Sequence, residues 1–407
     1  MGPEEKLLIS RRKTTTSVAL TVLAFIIFAI GCKSVIERQD VRPKVLRDVP
    51  SQNLAYRLDA DVSPPSGIKL DEPSDKLASV QTFFATKRAD EALIRTVASP
   101  DGRRVLALYG TESEPSSAFR IDLFNSEGEF LRKLIPPDLS CVFPETVTWS
   151  PDGTSINFIA HRRAMPSPTP TPQLEELPIP DASPLPSASV EPKFEQVATF
   201  NTEQIYICDR DGYSLHPLTA REGLIYFYFE WAPDGHAVVA LACKEDEWNA
   251  REKQYKLPAG RPRLITPDGQ ERLLDDGLTD ALPVWSPDGS KVATAFDTDV
   301  AIYDALLSKP TQARLPLGDA LINASVTYEE KTGGNKTEPP KHGNVAATTP
   351  NQPSVPASFN PIVRLNWPAP ERLYFQTAFV RLMPNEAINT FQRWHLLNLS
   401  AQAAILK

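Results

Sequence analysis

Apolar positions along this chain fall in short runs, continuous or alternating, of about four to eight residues set off by compact polar turns, the spacing of β-strands rather than helices. One unit recurs four times: residues 98–110 (ASPDGRRVLALYG), 149–160 (WSPDGTSINFIA), 231–242 (WAPDGHAVVALA) and 285–296 (WSPDGSKVATAF). Proline presets φ at the second turn position, aspartate bonds its own backbone, and glycine takes the conformation that closes the hairpin. A second element follows each strand. Residues 205–209 (IYICD) run into Asp211-Gly212 and then 215–219, and residues 119–123 (FRIDL) run into Glu127-Gly128 and then 130–135. In the third unit the second turn is Thr266-Pro267-Asp268-Gly269, followed by 270–274. Each unit therefore reads as four strands: one ending at Trp, the strand after PDG, a third, and a closing one. Trp367 opens a degraded fifth copy, WPAPERLYFQTAF, which 394–399 and 403–406 are expected to complete.

Four-stranded units at roughly 40–50 residues predict an all-β fold, a β-propeller of four-stranded antiparallel blades. The SPDG turns and the IYxxDxDG…LT pattern resemble the TolB-type, WD-like propeller repeats of the bacterial periplasm, over about residues 90–407. Six blades is the first count and five the second. Residues 45–87, with strand-like stretches at 54–58 and 80–84, are expected to supply a sixth blade or a closing strand. TolB itself carries an α/β domain before its propeller and is not lipidated. Residues 33–90 are too few for that domain plus a tether, so the resemblance implies the fold and not the Tol role.

In an up-and-down blade, the turns after strands one and three lie on one side of the disc. The turn after strand two and the crossover lie on the other. All PDG and second-type turns are short and fall on the first side. The long excursions, 162–197, 244–260, 318–359 and 381–391, all fall on the second. Inserts confined to one side mark a candidate binding face. Residues 165–192 hold nine prolines and cannot pair in a sheet, and 327–360 reads as a flexible loop, so disordered inserts are expected at about 162–197 and 327–360. Residues 244–255 are expected to form a short amphipathic helix on the rim, with Trp248 and Tyr255 as candidate contact residues.

The first residues carry an address. Lys6, Arg11, Arg12 and Lys13 precede a 13-residue apolar run, 18–30, shorter than the about 20 residues a spanning helix needs. The run ends Ala29-Ile30-Gly31-Cys32, which resembles a bacterial lipoprotein lipobox, although Ala29 stands where that family has Leu, Val or Ile. The resemblance implies cleavage after residue 31 and lipidation of Cys32, with Lys33 suited to outer-membrane sorting. The other reading is an uncleaved, tilted anchor. The organisation expected is a signal peptide (1–31), a lipid tether (32–50) and the propeller (51–407), facing the periplasm or exterior.

Composition adds little that contradicts this. Among 407 residues, 39 prolines against 18 glycines reflect turn punctuation plus the proline-rich insert. Net charge of -8 without basic clusters argues against a nucleic-acid partner. Beyond Cys32 there are three cysteines, Cys141, Cys208 and Cys243, so at most one bridge forms; buried small hydrophobes are expected. No G-x-S-x-G nucleophile elbow occurs. His161, His216, His236, His342 and His395 do not stand at metal-ligand spacing. Asp209-Arg210-Asp211-Gly212 starts like a calcium loop but has Ala220 at the twelfth position, so it reads as a turn. The aromatic stretch 225–229 reads as an inner strand beside the channel. No catalytic residue, metal or cofactor is expected. The reading is a membrane-anchored binding or assembly module with an envelope protein partner. The alternatives are a hydrolase or lyase using the channel, or a purely structural or sensory propeller.

Overall fold

The computed structural model describes residues 45–66, 76–111, 118–163, 197–332, 360–381 and 389–402. The signal segment, Cys32, most of the tether, the proline-rich insert and residues 333–359 and 403–407 lie outside the described residues. Short 3-10 turns at Leu46–Asp48 and Ser51–Asn53 lead into β1 (Leu54–Asp59) and then α1 (Ala78–Lys87). Sheet one follows with β2 (Ala92–Ala98), β3 (Arg104–Gly110), β4 (Arg120–Asn125) and β5 (Phe130–Lys133). Sheet two has its first strand in two pieces, β6 (Leu139–Ser140) and β7 (Thr148–Trp149), then β8 (Ser155–Arg162), β9 (Gln204–Asp209) and β10 (His216–Pro217). Sheet three is β11 (Leu224–Trp231), β12 (Val238–Lys244), β13 (Arg261–Ile265) and β14 (Glu271–Leu273), with α2 (Glu245–Lys253) inserted after β12. Sheet four is β15 (Val284–Trp285), β16 (Lys291–Phe296), β17 (Asp299–Asp304) and β18 (Gln312–Pro316). After α3 (Gly318–Thr332), sheet five comprises β19 (Ile362–Ala369), β20 (Arg372–Arg381) and β21 (Asn389–Ala401).

Every sheet is antiparallel, and sheets one to four run in sequence order, which makes the fold a β-propeller. The fourth strand of sheet five is β1, paired to β21 from Leu54 opposite Ala401 to Asp59 opposite Leu396. Residues 403–406, expected to complete the last unit, lie outside the described residues, and the place beside β21 is taken by β1. Five such sheets occur among the described residues, and residues 45–87 give a closing strand and a helix rather than a sixth sheet. Residues 80–84, strand-like in sequence, are helical because Val80, Phe83 and Phe84 share a face at i, i+3, i+4 and bury it on sheet one. Thr327–Thr332, read as the start of a flexible insert, belong to α3.

The second strand of each unit is mostly apolar and buried because packing covers both of its faces. Leu106 and Ile121 of sheet one meet Trp149 and Phe158 of sheet two. Ile159 and Ile205 meet Phe229 and Val238. Val239 and Leu264 meet Trp285 and Val292. Ala293 and Ile302 meet Leu365 and Phe375. Each fully buried Leu, Ile or Phe contributes about 1.5–3 kcal/mol. The face of sheet one that follows this scheme towards a preceding sheet, Val105, Ala107 and Tyr109, is covered instead by Val80 and Phe84 of α1. Gly128 shows how close the helix comes: a Cβ there would lie 2.7 Å from the Ser79 carbonyl carbon.

The short-turn side is built as the sequence implied. In the first repeat, Asp101 accepts bonds from Ser99 Oγ (2.6 Å) and the Arg103 amide (3.0 Å), which hold its carboxyl well below the usual range. Consecutive turns also touch. Gly153 has φ +68°, and a Cβ on it would sit 3.2 Å from Pro100 Cδ of the preceding unit.

Closure is held by a buried ion pair. Lys291 Nζ on β16 donates to Asp304 Oδ1 (2.7 Å) and to the Val49 carbonyl (2.6 Å). Asp304 also accepts from Ser51 N (3.1 Å), Ser51 Oγ (2.7 Å), Thr311 N (2.9 Å) and Thr311 Oγ1 (2.6 Å). Burial alone pushes this carboxyl up, but the bonds from Lys291, Thr311 and Ser51 bring it below its ordinary value. The lead-in to β1 is thereby fastened to sheet four. Removing one partner strands a buried charge, so Asp304→Ala should lower unfolding free energy by about 3–5 kcal/mol. Urea denaturation checks this; a loss under about 1 kcal/mol, the surface-pair value, refutes the clamp.

Candidate functional site

The side of the disc that carries the long excursions presents α2. Its first turn is set by a capping box in which Glu247 accepts the Lys244 amide (2.9 Å). The same carboxylate takes two bonds from Arg261 on β13, 2.7 and 2.8 Å, and these hold Glu247 down at about 2. The helix is thus pinned to the sheet it leaves. On it, Trp248 lies against Phe143 (ring centroids 6.0 Å) and Phe227 (5.6 Å), half-buried over the junction of sheets two and three.

Tyr255 is different. The helix ends at Lys253, and Tyr255 stands beyond it, 99% exposed at φ +53°, with Leu257 exposed at 73%. A bulky residue with positive φ is a strained conformation that its surroundings must impose. Here Arg251 imposes it: its Nε donates to the Leu257 carbonyl (2.6 Å), its NH2 to Asp280 (3.1 Å), and its carbonyl accepts from Lys256 N (3.0 Å). The two candidate contact residues therefore lie on one insert but do different things. Trp248 packs, while Tyr255 is displayed with Leu257, a residue that sequence reasoning missed.

The second place with chemistry is the channel wall, formed by the first strand of each sheet. Glu230 on β11 reaches solvent, and Tyr228 Oη donates to its Oε2 (3.4 Å). Enclosure by the surrounding wall lifts the Glu230 carboxyl to about 7 and the Tyr228 phenol well above its usual value. Counting back from the Trp of each repeat, the corresponding residues are Val97, Thr148, Val284 and Asn366, so an acid occurs here once. Aligning the repeats by their tryptophans would have exposed it.

The remaining reactive side chains are committed to structure. Cys141, Cys208 and Cys243 are buried and form no disulfide, and burial raises the Cys208 and Cys243 thiols to about 12. His395 stacks on Phe375 (5.1 Å), with Nε2 3.0 Å from Thr377 Oγ1 and Nδ1 accepting from the Asp61 amide (3.4 Å). Burial lowers it to about 4, so it is neutral at pH 7. Ser325 on α3 bonds Arg393, Asn360 and the Leu321 carbonyl, which ties the crossover helix to sheet five. Among the described residues no group of His, Cys, Asp and Glu is arranged to hold a metal ion, and no helix is long and apolar enough to cross a membrane.

No protein-family model matches this sequence, and no curated protein matches it. Solved structures with related architecture include an oligogalacturonate lyase in complex with manganese: 12% identity, TM-score 0.36, covering 75% of this chain and 64% of the lyase. Prolyl oligopeptidase B from Galerina marginata, bound to a 25mer macrocyclization substrate, gives 11%, 0.41, 88% and 42%. Hydrazine synthase from Kuenenia stuttgartiensis gives 13%, 0.32, 71% and 71%. The chain thus spans less than two-thirds of the lyase and about two-fifths of the oligopeptidase. Such similarity carries no residue roles across, and the propeller assignment rests on the sheet topology itself.

Glu230 generates a pH dependence. From the ordinary 4.5 up to about 7, the folded state holds a proton that the unfolded chain has lost, so stability falls as pH rises through that window. Glu230→Gln should remove this slope, read as the change in urea midpoint between about pH 5 and about pH 7.5. An unaltered slope would place the titration elsewhere.

Proposed function

We propose that this chain is a lipid-anchored β-propeller of the bacterial cell envelope that recognises an envelope protein through the side of the disc bearing α2. The observation that carries the reading is Tyr255, fully exposed, held at positive φ by Arg251 and paired with exposed Leu257. Exposed aromatic anchors on a braced scaffold are what protein interfaces use, because little side-chain entropy is lost on docking. Anchoring is supported by the 13-residue apolar run ending in Gly31-Cys32, and three acyl chains on that cysteine would hold the protein stably where one would not. The chain is read as a binding module rather than an enzyme. A second reading, a hydrolase or lyase working in the channel, draws on Glu230, a carboxyl poised near neutrality. The two separate cleanly: Glu230→Gln would abolish turnover and leave recognition at α2 intact.

Two experiments test the main reading. Labelled palmitate should enter the wild type and vanish in Cys32→Ala; equal incorporation refutes the lipoprotein assignment. A photocrosslinker at residue 255 should capture one defined envelope protein in living cells, and the same probe at residue 153 on the short-turn side should not. Capture should also disappear when Leu257→Ala is added to the residue-255 probe. Equal capture from both sides, or none from residue 255, overturns recognition by this face.

A further inference from the structure

In the seam between sheets one and two, Trp149 Nε1 donates to the Val97 carbonyl (3.1 Å), and Val97 is the strand partner of Leu106. In the seam between sheets three and four, Trp285 Nε1 donates to the Glu230 carbonyl (3.1 Å), and Glu230 is the partner of Val239. Each indole shares a hydrophobic cluster with that partner, Leu106 or Val239. The repeat puts Trp231, Thr148 and Asn157 in the same three places between sheets two and three, with Thr148 opposite Asn157. Yet there the pattern breaks. Trp231 Nε1 is buried without a hydrogen-bond partner, and Asn157, 0% exposed, has neither Oδ1 nor Nδ2 bonded to protein.

Asn157 thus stands where its counterparts are Leu106, Val239 and Ala293, on the face of β8 from which Ile159 enters the cluster that Trp231 packs against. Three orphaned polar atoms in one seam cost far more than immobilising one solvent molecule between them. The groups are complementary: two donors, Trp231 Nε1 and Asn157 Nδ2, and two acceptors, Asn157 Oδ1 and the carbonyl of Thr148, the counterpart of Val97 and Glu230. That is the three- or four-fold polar lining a buried water requires.

We propose that the seam between sheets two and three is a binding site for one internal water, held by Asn157 and the Trp231 indole, which replaces the direct indole-to-carbonyl bond of the neighbouring seams. A high-resolution crystal structure of the soluble domain with its described β1 closure, residues 45–407, tests it once that fragment is shown by circular dichroism to match the full chain. The same question can be put to the full chain by oxygen-17 relaxation dispersion, which counts long-lived waters. The expected result is one water within hydrogen-bond distance of Trp231 Nε1 and Asn157 Oδ1, lost in Asn157→Leu, with the dispersion amplitude falling by one water. Leucine is the residue of sheet one at this place, so the variant restores a dry seam. Should it fail to fold, Trp231→Phe removes one donor and should shorten the residence time of the same water. A dry wild-type seam with the amide bonded directly to the indole overturns the proposal, as does an amplitude unchanged in Asn157→Leu.

Discussion

Asp304 is the point on which the architecture turns. A carboxylate buried on sheet four collects bonds from Lys291, Ser51 and Thr311, and one of those partners belongs to the segment that leads into β1. That fastening acts with the packing of Leu46, Val49 and Leu54 and the bond from Gln402 N to the Asn53 carbonyl to place the start of β1, the strand that completes sheet five. A buried ion pair is poor evidence of added stability in general, since apolar substitutes often serve as well. Here its use is positional: it sets the register in which Leu54 meets Ala401.

The seams between sheets are not equivalent. All rest on apolar clusters, and polar side chains cross others too, as Arg104 to Asp211 does between sheets one and two and Tyr303 to Asp275 between sheets three and four. The seam between sheets two and three is polar along its height. Gln204, fully buried, donates to the Arg221 and Leu224 carbonyls and accepts from Thr219 Oγ1, and the Tyr226 amide reaches back to Glu203. Asn157 and Trp231 continue this polarity, and Trp248 roofs one end. Polar contacts demand geometry where apolar ones tolerate sliding. The insert bearing Tyr255 leaves β12 beside this seam, with Trp248 packed on Phe143 of one sheet's lead-in and Phe227 of the next.

Much of the fold was legible because its information is local. PDG turns, Trp spacing and four-residue apolar runs each encode a turn or strand without reference to distant residues, and they located sheets one to four. The last sheet was half legible, since its fourth strand lies at the other end of the chain and no local pattern in 403–406 could reveal that. α1 was missed because Val80, Phe83 and Phe84 fit a strand nearly as well as a helical face, and packing on sheet one decides between them. At the candidate site, the helix after β12 was visible in the charge pattern around Trp248. The separation of Trp248 from Tyr255 was not, because it depends on where Arg251 ends the helix. Glu230 was hidden for another reason: its character comes from enclosure, which one strand does not encode.

The pairing of β1 with β21 also fixes an order of events. Chains are made from the amino end, so β1 exists for nearly the whole of synthesis before its partner does. During that time sheets one to four can assemble in sequence, while β1 has no strand partner on either edge and sheet five stays unfinished. Only the final strand completes sheet five, through a contact between the ends of the domain that carries a high loop-closure entropy. A chain cut short before β21 therefore keeps β1 without a partner and sheet five incomplete.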